Sequence, residues 1–334
     1  MRLRSVRLHN VRRFTDPVQI DGIGDGLSVL CAPNEQGKST FFDALHALFF
    51  KDRKSWDREV RALVPYAGGD PAVAVELELD DASYRLEKRW NRSRSGEVRV
   101  WRSGQLFKQS DDAEAWISET FRSPKDGGPA GLLWVRQGPG GLDSDGDAGR
   151  TARRDLVSSV AGEVEAMTGG RRMDLAVQYC AEQLARYLTP TDQRERRRNL
   201  EPVKQELVPL LRLLWEDAEL QFDAEEILPT ALVRNGQEET FSSLSGGTQE
   251  QIALLVRLAF ARILAGAGRP APVILDDAIV YTDDHRIERM FDALTRQAQD
   301  IQILVFSCRQ KAFRDLGGQS LAIVPAEQGV QAAQ

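Results

Sequence analysis

The sequence predicts an α/β fold assembled from both ends of the chain, with a helical segment inserted between them. Three observations carry this expectation. An apolar strand runs into a Gly/Lys-containing loop and then a helix-forming stretch between Leu27 and Phe50. A second apolar run, Val273–Leu275, ends in two acids, Asp276 and Asp277. Between them the character turns helical from Arg153 to Leu214, before strands and helices alternate again. With 334 residues there is ample length for one large composite core.

Taken in order, RLRSVRL alternates in period two, VQI and LSVLC follow as strands, and Lys38–Phe50 reads as a helix. Val73–Leu79 alternates as a half-buried strand should, and Tyr84–Lys88 and Val98–Trp101 form a hairpin around the turn-rich NRSRSGE. Leu132–Arg136 precedes GPGGLDSDGDAGR, a Gly/Asp-rich loop or linker. In the middle, Leu156, Val160, Val164 and Met167 share one helical face, and Ala176, Cys180, Leu184 and Tyr187 another. Thr189-Pro190-Thr191-Asp192 breaks the pattern, and Val203, Leu207, Leu210 and Leu214 resume it, as expected of a helical hairpin with a charged tip. Leu220–Phe222 and Ala231–Arg234 are strand candidates around a turn at Asn235-Gly236. Gln249–Leu264 and His285–Gln299 are helices, Val273–Leu275 and Ile303–Phe306 buried strands, and the tail after Pro325 is expected to fray. The boundaries expected are 1–150, 151–215 and 216–334.

Composition is 42% hydrophobic and 28% charged, which excludes a disordered or fibrous chain. No apolar run approaches the roughly 18–20 residues of a membrane span, and the basic start lacks the apolar core of a signal peptide. Three cysteines, Cys31, Cys180 and Cys308, have no spacing suited to a disulfide framework or a zinc site, so a reducing cytoplasm is expected. A net charge of −6 does not advertise constitutive nucleic-acid binding.

The strongest local signal is Ala32-Pro33-Asn34-Glu35-Gln36-Gly37-Lys38-Ser39-Thr40, a P-loop pattern with Ala32 in place of its first glycine. Backbone amides around Gly37 and the N-terminus of the following helix suit phosphate oxygens. Lys38 reaches the β and γ phosphates and Ser39 holds Mg²⁺, with Asn34 and Thr40 beside them. Asp276 at its strand's end completes the Mg²⁺ shell, and Asp277 orients or deprotonates water. Phe241-Ser242-Ser243-Leu244-Ser245-Gly246-Gly247-Thr248-Gln249 leads into an amphipathic helix. Its LSGG-Q pattern is the signature of ABC-type ATPases, and Ser245, Gly246 and Gly247 form a second anion site at a helix N-terminus.

On these motifs the chain resembles the ATPase head of an SMC-related protein of the SbcC type, the DNA double-strand-break-repair class, and its YhaN-like relatives. MRLRSVRLHNVRRF resembles that family's opening strand, which implies that Arg12 or Arg13 contacts the nucleotide. LLWVRQG resembles the Q-loop, making Gln137 a Mg²⁺-linked and water-linked sensor, and Tyr281–Arg286 occupies the D-loop place with Asp283. Phe306-Ser307-Cys308-Arg309 falls at the switch. The implied fold is an ABC-type P-loop NTPase head with mixed sheets and an inserted antiparallel helical coil base. The implied cofactors are ATP and Mg²⁺. The implied partners are a second copy engaged through ATP-sandwiched heads, DNA, and an SbcD-like nuclease, with no membrane.

Three residues depart from that pattern. Asp277 replaces the family's glutamate and is one methylene shorter, so water placement requires a backbone shift or turnover is slow. Cys308 replaces a histidine that many relatives carry, leaving Ser307 or Arg309 to share the role. Ala278 replaces a proline. The family's long coiled coil is absent between Gly138 and Leu244, where only a base-like Arg153–Leu214 stands, as in an excised head or a naturally short member. The rivals are a slowly hydrolysing SMC-like DNA clamp in chromosome organisation or phage defence, and a transporter's nucleotide-binding subunit. Arg85–Arg102 holds seven basic residues with Trp90 and Trp101, which reads equally as a DNA-facing stripe or as a solvated hairpin. Asp276, Asp277, Asp283, Asp284 and His285 also admit a metal-nuclease reading.

Overall fold

A computed structural model describes residues 1–121, 133–136, 203–222, 229–266, 268, 270–277, 284–308 and 317–326. Among them the strands form three sheets. The largest is antiparallel throughout: β1 (Arg2–His9), β2 (Val18–Ile20), β4 (Ala72–Leu79), β5 (Ala82–Arg89), β6 (Glu97–Arg102), β7 (Gln105–Gln109) and β15 (Val324–Pro325), in the order β15-β2-β1-β4-β5-β6-β7. The second is parallel throughout, with order β14-β3-β13-β12-β8. It comprises β3 (Leu27–Cys31), β8 (Trp134–Arg136), β12 (Val273–Asp276), β13 (Ile303–Ser307) and β14 (Gln319–Leu321). A small antiparallel sheet pairs β9 (Glu219–Gln221), β10 (Ala231–Arg234) and β11 (Gln237–Thr240).

Helix α1 (Lys38–Phe50) forms the layer between the two large sheets, against β1 and β4 on one side and β12 and β13 on the other. KSTFFDALHALFF has no Gly, Pro or β-branched run after Thr40, and it buries Phe41, Phe42, Leu45, Leu48 and Phe49, apolar on nearly every side as a central helix must be. A short α2 (Arg58–Arg61) is capped by the Asp57 carboxylate, which accepts from the Val60 amide at 3.0 Å. Helix α4 (residues 203–214) buries Val203, Leu207, Leu210 and Leu214, the stripe read from the sequence. Helices α5 (Gly246–Gly266) and α6 (Asp284–Gln297) pack together, and α5 also rests on β12.

The Gln302 side chain, just before β13, helps to join the two large sheets. The Gln302 carboxamide accepts from the Leu3 amide at 2.7 Å and donates to the carbonyls of Leu3 at 2.8 Å and Gly24 at 2.7 Å, all buried or partly so. These bonds satisfy backbone groups that water cannot reach.

Several elements were not anticipated. Helix α3 (Ser110–Phe121) covers β6 and β7, burying Ala113, Ile117 and Phe121 with Asp111 and Asp112 at its positive end. The strands β7, β11 and β14 are also additions. Asn235 and Gly236 do make the turn, both with positive φ (50° and 71°), but it joins β10 to β11 rather than to β9.

In Arg85–Arg102, which reads equally as a DNA-facing stripe or a solvated hairpin, strand alternation divides the basic residues between two faces. Arg85, Arg89 and Arg99 lie on the outer face, where Glu87, Asp70 and Glu97 pair with them. Lys88 points inward with no side-chain exposure, and its ammonium donates to the Glu114 carboxylate of α3 at 2.8 Å and to the Lys51 carbonyl at 2.8 Å. Trp90 is buried as well, its indole N–H donating to the Asp52 carbonyl. Of the segment 151–215, where the coil base was expected, residues 151–202 lie outside the described residues.

Removing one member of the buried Lys88–Glu114 pair leaves the other charged in a dry site. Lys88→Met is expected to lose about 3–5 kcal/mol in urea denaturation, and Lys88→Met/Glu114→Leu to recover most of it.

Candidate functional site

The loop between β3 and α1 is shaped by its backbone. Glu35 (φ 65°) and Gly37 (φ 88°) both take the left-handed conformation, in which successive amides can converge on an anion. At Gly37 a side chain is excluded twice: by φ, and by Phe14, whose ring an added Cβ would strike. Phe14 itself packs edge-on against Phe41 of α1, with ring centroids 5.7 Å apart. The Ala32 amide donates to the Ser307 carbonyl at 3.2 Å, so the loop departs from the end of the β3–β13 ladder.

Lys38, the first residue of α1, is buried, and its ammonium donates to the carbonyls of Ala32 at 2.8 Å and Pro33 at 3.0 Å. A phosphate oxygen bears more negative charge than a carbonyl and makes a stronger partner for the same donor. The Ser39 hydroxyl donates to Asp276 Oδ1 at 3.1 Å, across 237 residues of sequence, and the Asp276 side chain is buried at the end of β12. Thr40 is buried one position on, its amide bonded to the Gly37 carbonyl, while Asn34 is exposed on the loop. A hydroxyl and a carboxylate held this close are hard oxygen donors of the kind Mg²⁺ takes, completed by water and phosphate oxygens. The donor set therefore fits the ion.

Asp277 has φ 48°, strained for a residue with a side chain. Its amide donates to the Phe306 carbonyl at 2.9 Å, and its Oδ1 accepts from the Cys308 amide at 3.0 Å. The carboxylate is thus turned toward the end of β13. Cys31 and Cys308 are both half-buried free thiols here. Burial pushes the Cys31 thiol pKa up, partly opposed by the nearby Lys38 ammonium. Cys31 is the last residue of β3 and lies among the same charged groups as the loop.

Arg12 and Arg13 separate. Arg13 donates to the Glu35 carbonyl on the loop and stands over the Phe14 ring, 5.9 Å from its centroid. Arg12 instead pairs with Asp43 of α1 at 2.6 Å, and donates through Nε to the Ala62 carbonyl at 3.0 Å. Neither Phe14 nor Asp43 was singled out from the sequence. A lone Phe or Asp at those places carries no signal, since only the fold sets them beside Gly37 and Arg12.

The LSGG segment opens α5. The Ser245 hydroxyl caps it, accepting from the Thr248 amide at 3.3 Å and lying 2.9 Å from the Thr248 hydroxyl. Gln249 reaches back to the Phe241 carbonyl at 2.7 Å, fixing the preceding turn. Ser245 and Gly246 are exposed, Gly247 half-buried, and a Cβ on Gly246 would meet no atom within 4 Å. Lys38, Ser39, Asp276, Asp277 and Cys308 are thus gathered around the ends of β3, β12 and β13. The hydrogen bonds of Ser245 described here stay within α5. Gln137 and Asp283 lie outside the described residues, as do the side chains of Asp284 and His285. Among the described residues no group of three or more His, Cys, Asp or Glu side chains is placed to hold a metal, and no helix is long and apolar enough to cross a membrane.

A family model described as an AAA domain matches residues 5–132. Two curated proteins, the uncharacterized protein Rv1278 of Mycobacterium tuberculosis (strain H37Rv) and Mb1309 of Mycobacterium bovis, are each 33% identical over 78 residues. That match covers 23% of this chain and only 9% of each relative's length. Among solved structures, the Smc head bound to the C-winged helix domain of ScpA aligns with TM-score 0.65 at 14% identity, covering 98% of each chain. The SMC head domain from Thermotoga maritima aligns with TM-score 0.54 at 18% identity, covering 98% of this chain and 100% of that one. The Smc head with an extended coiled coil bound to the C-terminal domain of ScpA, from Pyrococcus furiosus, gives 0.62 at 14%, covering 97% and 96%. The fold is that of an SMC head, a P-loop ATPase fold with mixed α/β sheets.

The double exclusion at Gly37 has a measurable signature. Gly37→Ala is expected to destabilise the protein by more than about 2 kcal/mol with Phe14 present. In a Phe14→Ala background only the backbone term of about 1 kcal/mol should remain. Urea denaturation of the four proteins of the cycle reads the difference.

Proposed function

We propose that this chain is the ATP-binding and ATP-hydrolysing head of an SMC-type protein of the SbcC-like, genome-maintenance kind. The observation that carries this reading is the 3.1 Å hydrogen bond between Ser39 and Asp276. Parallel strands from opposite ends of the chain bring a P-loop hydroxyl and a strand-end acid to one point, beside the buried Lys38 ammonium. Ser39 and Asp276 would hold Mg²⁺, which would supply charge neutralisation for the bound phosphates. Lys38 releases the Ala32 and Pro33 carbonyls to bind phosphate oxygens, and the amides around Gly37 enclose them. Arg13, already over the loop, adds a second cation, and Arg12 holds the surrounding corner against α1.

Asp277 positions the attacking water once its carboxylate leaves the Cys308 amide. Ser245, Gly246 and Gly247, exposed at the start of α5, complete the site of a second copy, so that ATP joins two heads in a homodimer. Gln137 and Asp283 act as sensor and interface residue in this scheme. DNA bound across engaged heads, and an SbcD-like nuclease near the coil base, are the proposed partners. The exposed Arg92 and Arg94 at the hairpin tip are the cations best placed for phosphates. The proposed site of action is the cytoplasm.

A second reading, a slowly hydrolysing SMC-like DNA clamp, is favoured by one observation: the Asp277 carboxylate is bound to the Cys308 amide at 3.0 Å. In that reading binding and dimerisation proceed while hydrolysis waits on a costly rearrangement.

Sizing and ATP turnover of wild type and Asp277→Asn, with and without duplex DNA, test both. Wild type is expected to shift from monomer to dimer with ATP, and Asp277→Asn to stay dimeric with turnover at least about 100-fold lower. Turnover equal to wild type in Asp277→Asn removes its catalytic role. A chain monomeric at saturating ATP removes head engagement. Turnover that is unmeasurable even with DNA, alongside ATP-dependent dimers, selects the clamp.

A further inference from the structure

The chain has three cysteines, and the fold brings two of them, 277 positions apart in sequence, to neighbouring strand ends. Cys31 ends β3 and is paired with Ser307, the last residue of β13; Cys308 follows directly. Adjacent strands lie about 4.8 Å apart and a residue advances about 3.3 Å, which sets the two Cα atoms about 6 Å apart. A disulfide spans Cα separations of roughly 4.4–6.8 Å. Regular alternation would direct the two side chains to opposite faces, but the chain bends at Cys308 and leaves the ladder there. The Cys31 thiol also lies within electrostatic reach of Cys308, the Lys38 ammonium and the Asp277 carboxylate. Both are half-buried and free, accessible to a small oxidant.

We propose that Cys31 and Cys308 form an oxidisable dithiol whose disulfide shuts the nucleotide site. The oxidant is hydrogen peroxide. One thiol, after giving up its proton, attacks the peroxide oxygen, breaking the O–O bond to leave a sulfenic acid and one water. The second thiol then displaces the sulfenic oxygen, which departs as a second water, and the S–S bond forms. Two thiols are oxidised and one peroxide is reduced to two waters. A thiol reductant reverses the change by exchange.

The consequence follows from what each cysteine adjoins. Cys31 precedes Ala32, whose carbonyl holds the Lys38 ammonium and whose amide is bonded to Ser307. Cys308 holds the Asp277 carboxylate through its amide. A covalent link between them clamps the entry of the P-loop to the end of β13, beside the Asp277 carboxylate, so the loop cannot open around a triphosphate. The effect on ATP rests on the nucleotide-binding reading given above; the cross-link itself does not.

The test treats the reduced chain with hydrogen peroxide, maps disulfides by peptide mass spectrometry, and measures Mg²⁺-ATP binding by calorimetry before and after dithiothreitol. A Cys31–Cys308 link and a loss of ATP affinity of at least about tenfold, restored by reductant, are expected. Cys31→Ala should bind ATP when reduced and lose its peroxide sensitivity, whereas Cys180→Ser should keep that sensitivity. Cys308→Ser must lose the cross-linked peptide whatever its ATP affinity. Oxidation that leaves both thiols free, or links either to Cys180, overturns the proposal. So does a Cys31–Cys308 link that leaves ATP affinity unchanged. Reduced wild type that binds no ATP at all overturns the nucleotide reading and, with it, the regulatory half, while the mapping still judges the dithiol.

Discussion

The structure depends on how β3 is satisfied. Four of its five residues are buried, and its backbone bonds run to β13 on one side and β14 on the other. Both partners come from the far end of the chain. A buried strand without them would forfeit its hydrogen bonds, so the two ends cannot fold as independent lobes. Everything at the candidate site inherits this pairing. The P-loop begins where the ladder ends, α1 is clasped between two sheets that Gln302 ties together, and Ser39 meets Asp276 because β12 runs beside β13.

The charge pattern follows a different logic from the net value. A segment dense in basic residues resolves into an inward lysine neutralised by Glu114 and outward arginines alternating with glutamates. Such a face is close to neutral row by row, and its ion pairs are exposed enough to exchange partners at little cost. The buried Lys88–Glu114 pair serves a different purpose: it fastens α3 to β5 and, through the Lys51 carbonyl, to the end of α1.

Strands and helices with a clear period were legible in the sequence. Lys38–Phe50, the hairpin at 84–101, and the stripe Val203, Leu207, Leu210 and Leu214 all match, because burial on one or both faces imposes the period directly. Helix α3 was not legible: Ser110-Asp111-Asp112 looks like a polar loop, and its apolar residues are interrupted by Glu114, a charge whose burial only Lys88 explains. At the site, residue types at fixed spacing marked Lys38, Ser39, Asp276 and Ser245. What could not be read were the groups that position them. Phe14 behind Gly37, Asp43 beside Arg12, and the Cys308 amide on Asp277 are contacts between segments, and a sequence pattern within one segment contains no trace of them.

The same β3 pairing has a cost in time. During synthesis β3 leaves the ribosome about 270 residues ahead of β13, and at roughly 5–20 residues per second that interval is about 15–55 s. The antiparallel sheet from β1 to β7 can assemble within that interval from local hairpins, but β3 and the apolar α1 have no parallel partners until β12 and β13 emerge. For that period the nascent chain carries an unpaired central strand and a helix apolar nearly all round. Chaperone dependence and aggregation during expression should therefore rise with the delay between the two ends, and so with the length of whatever lies between them.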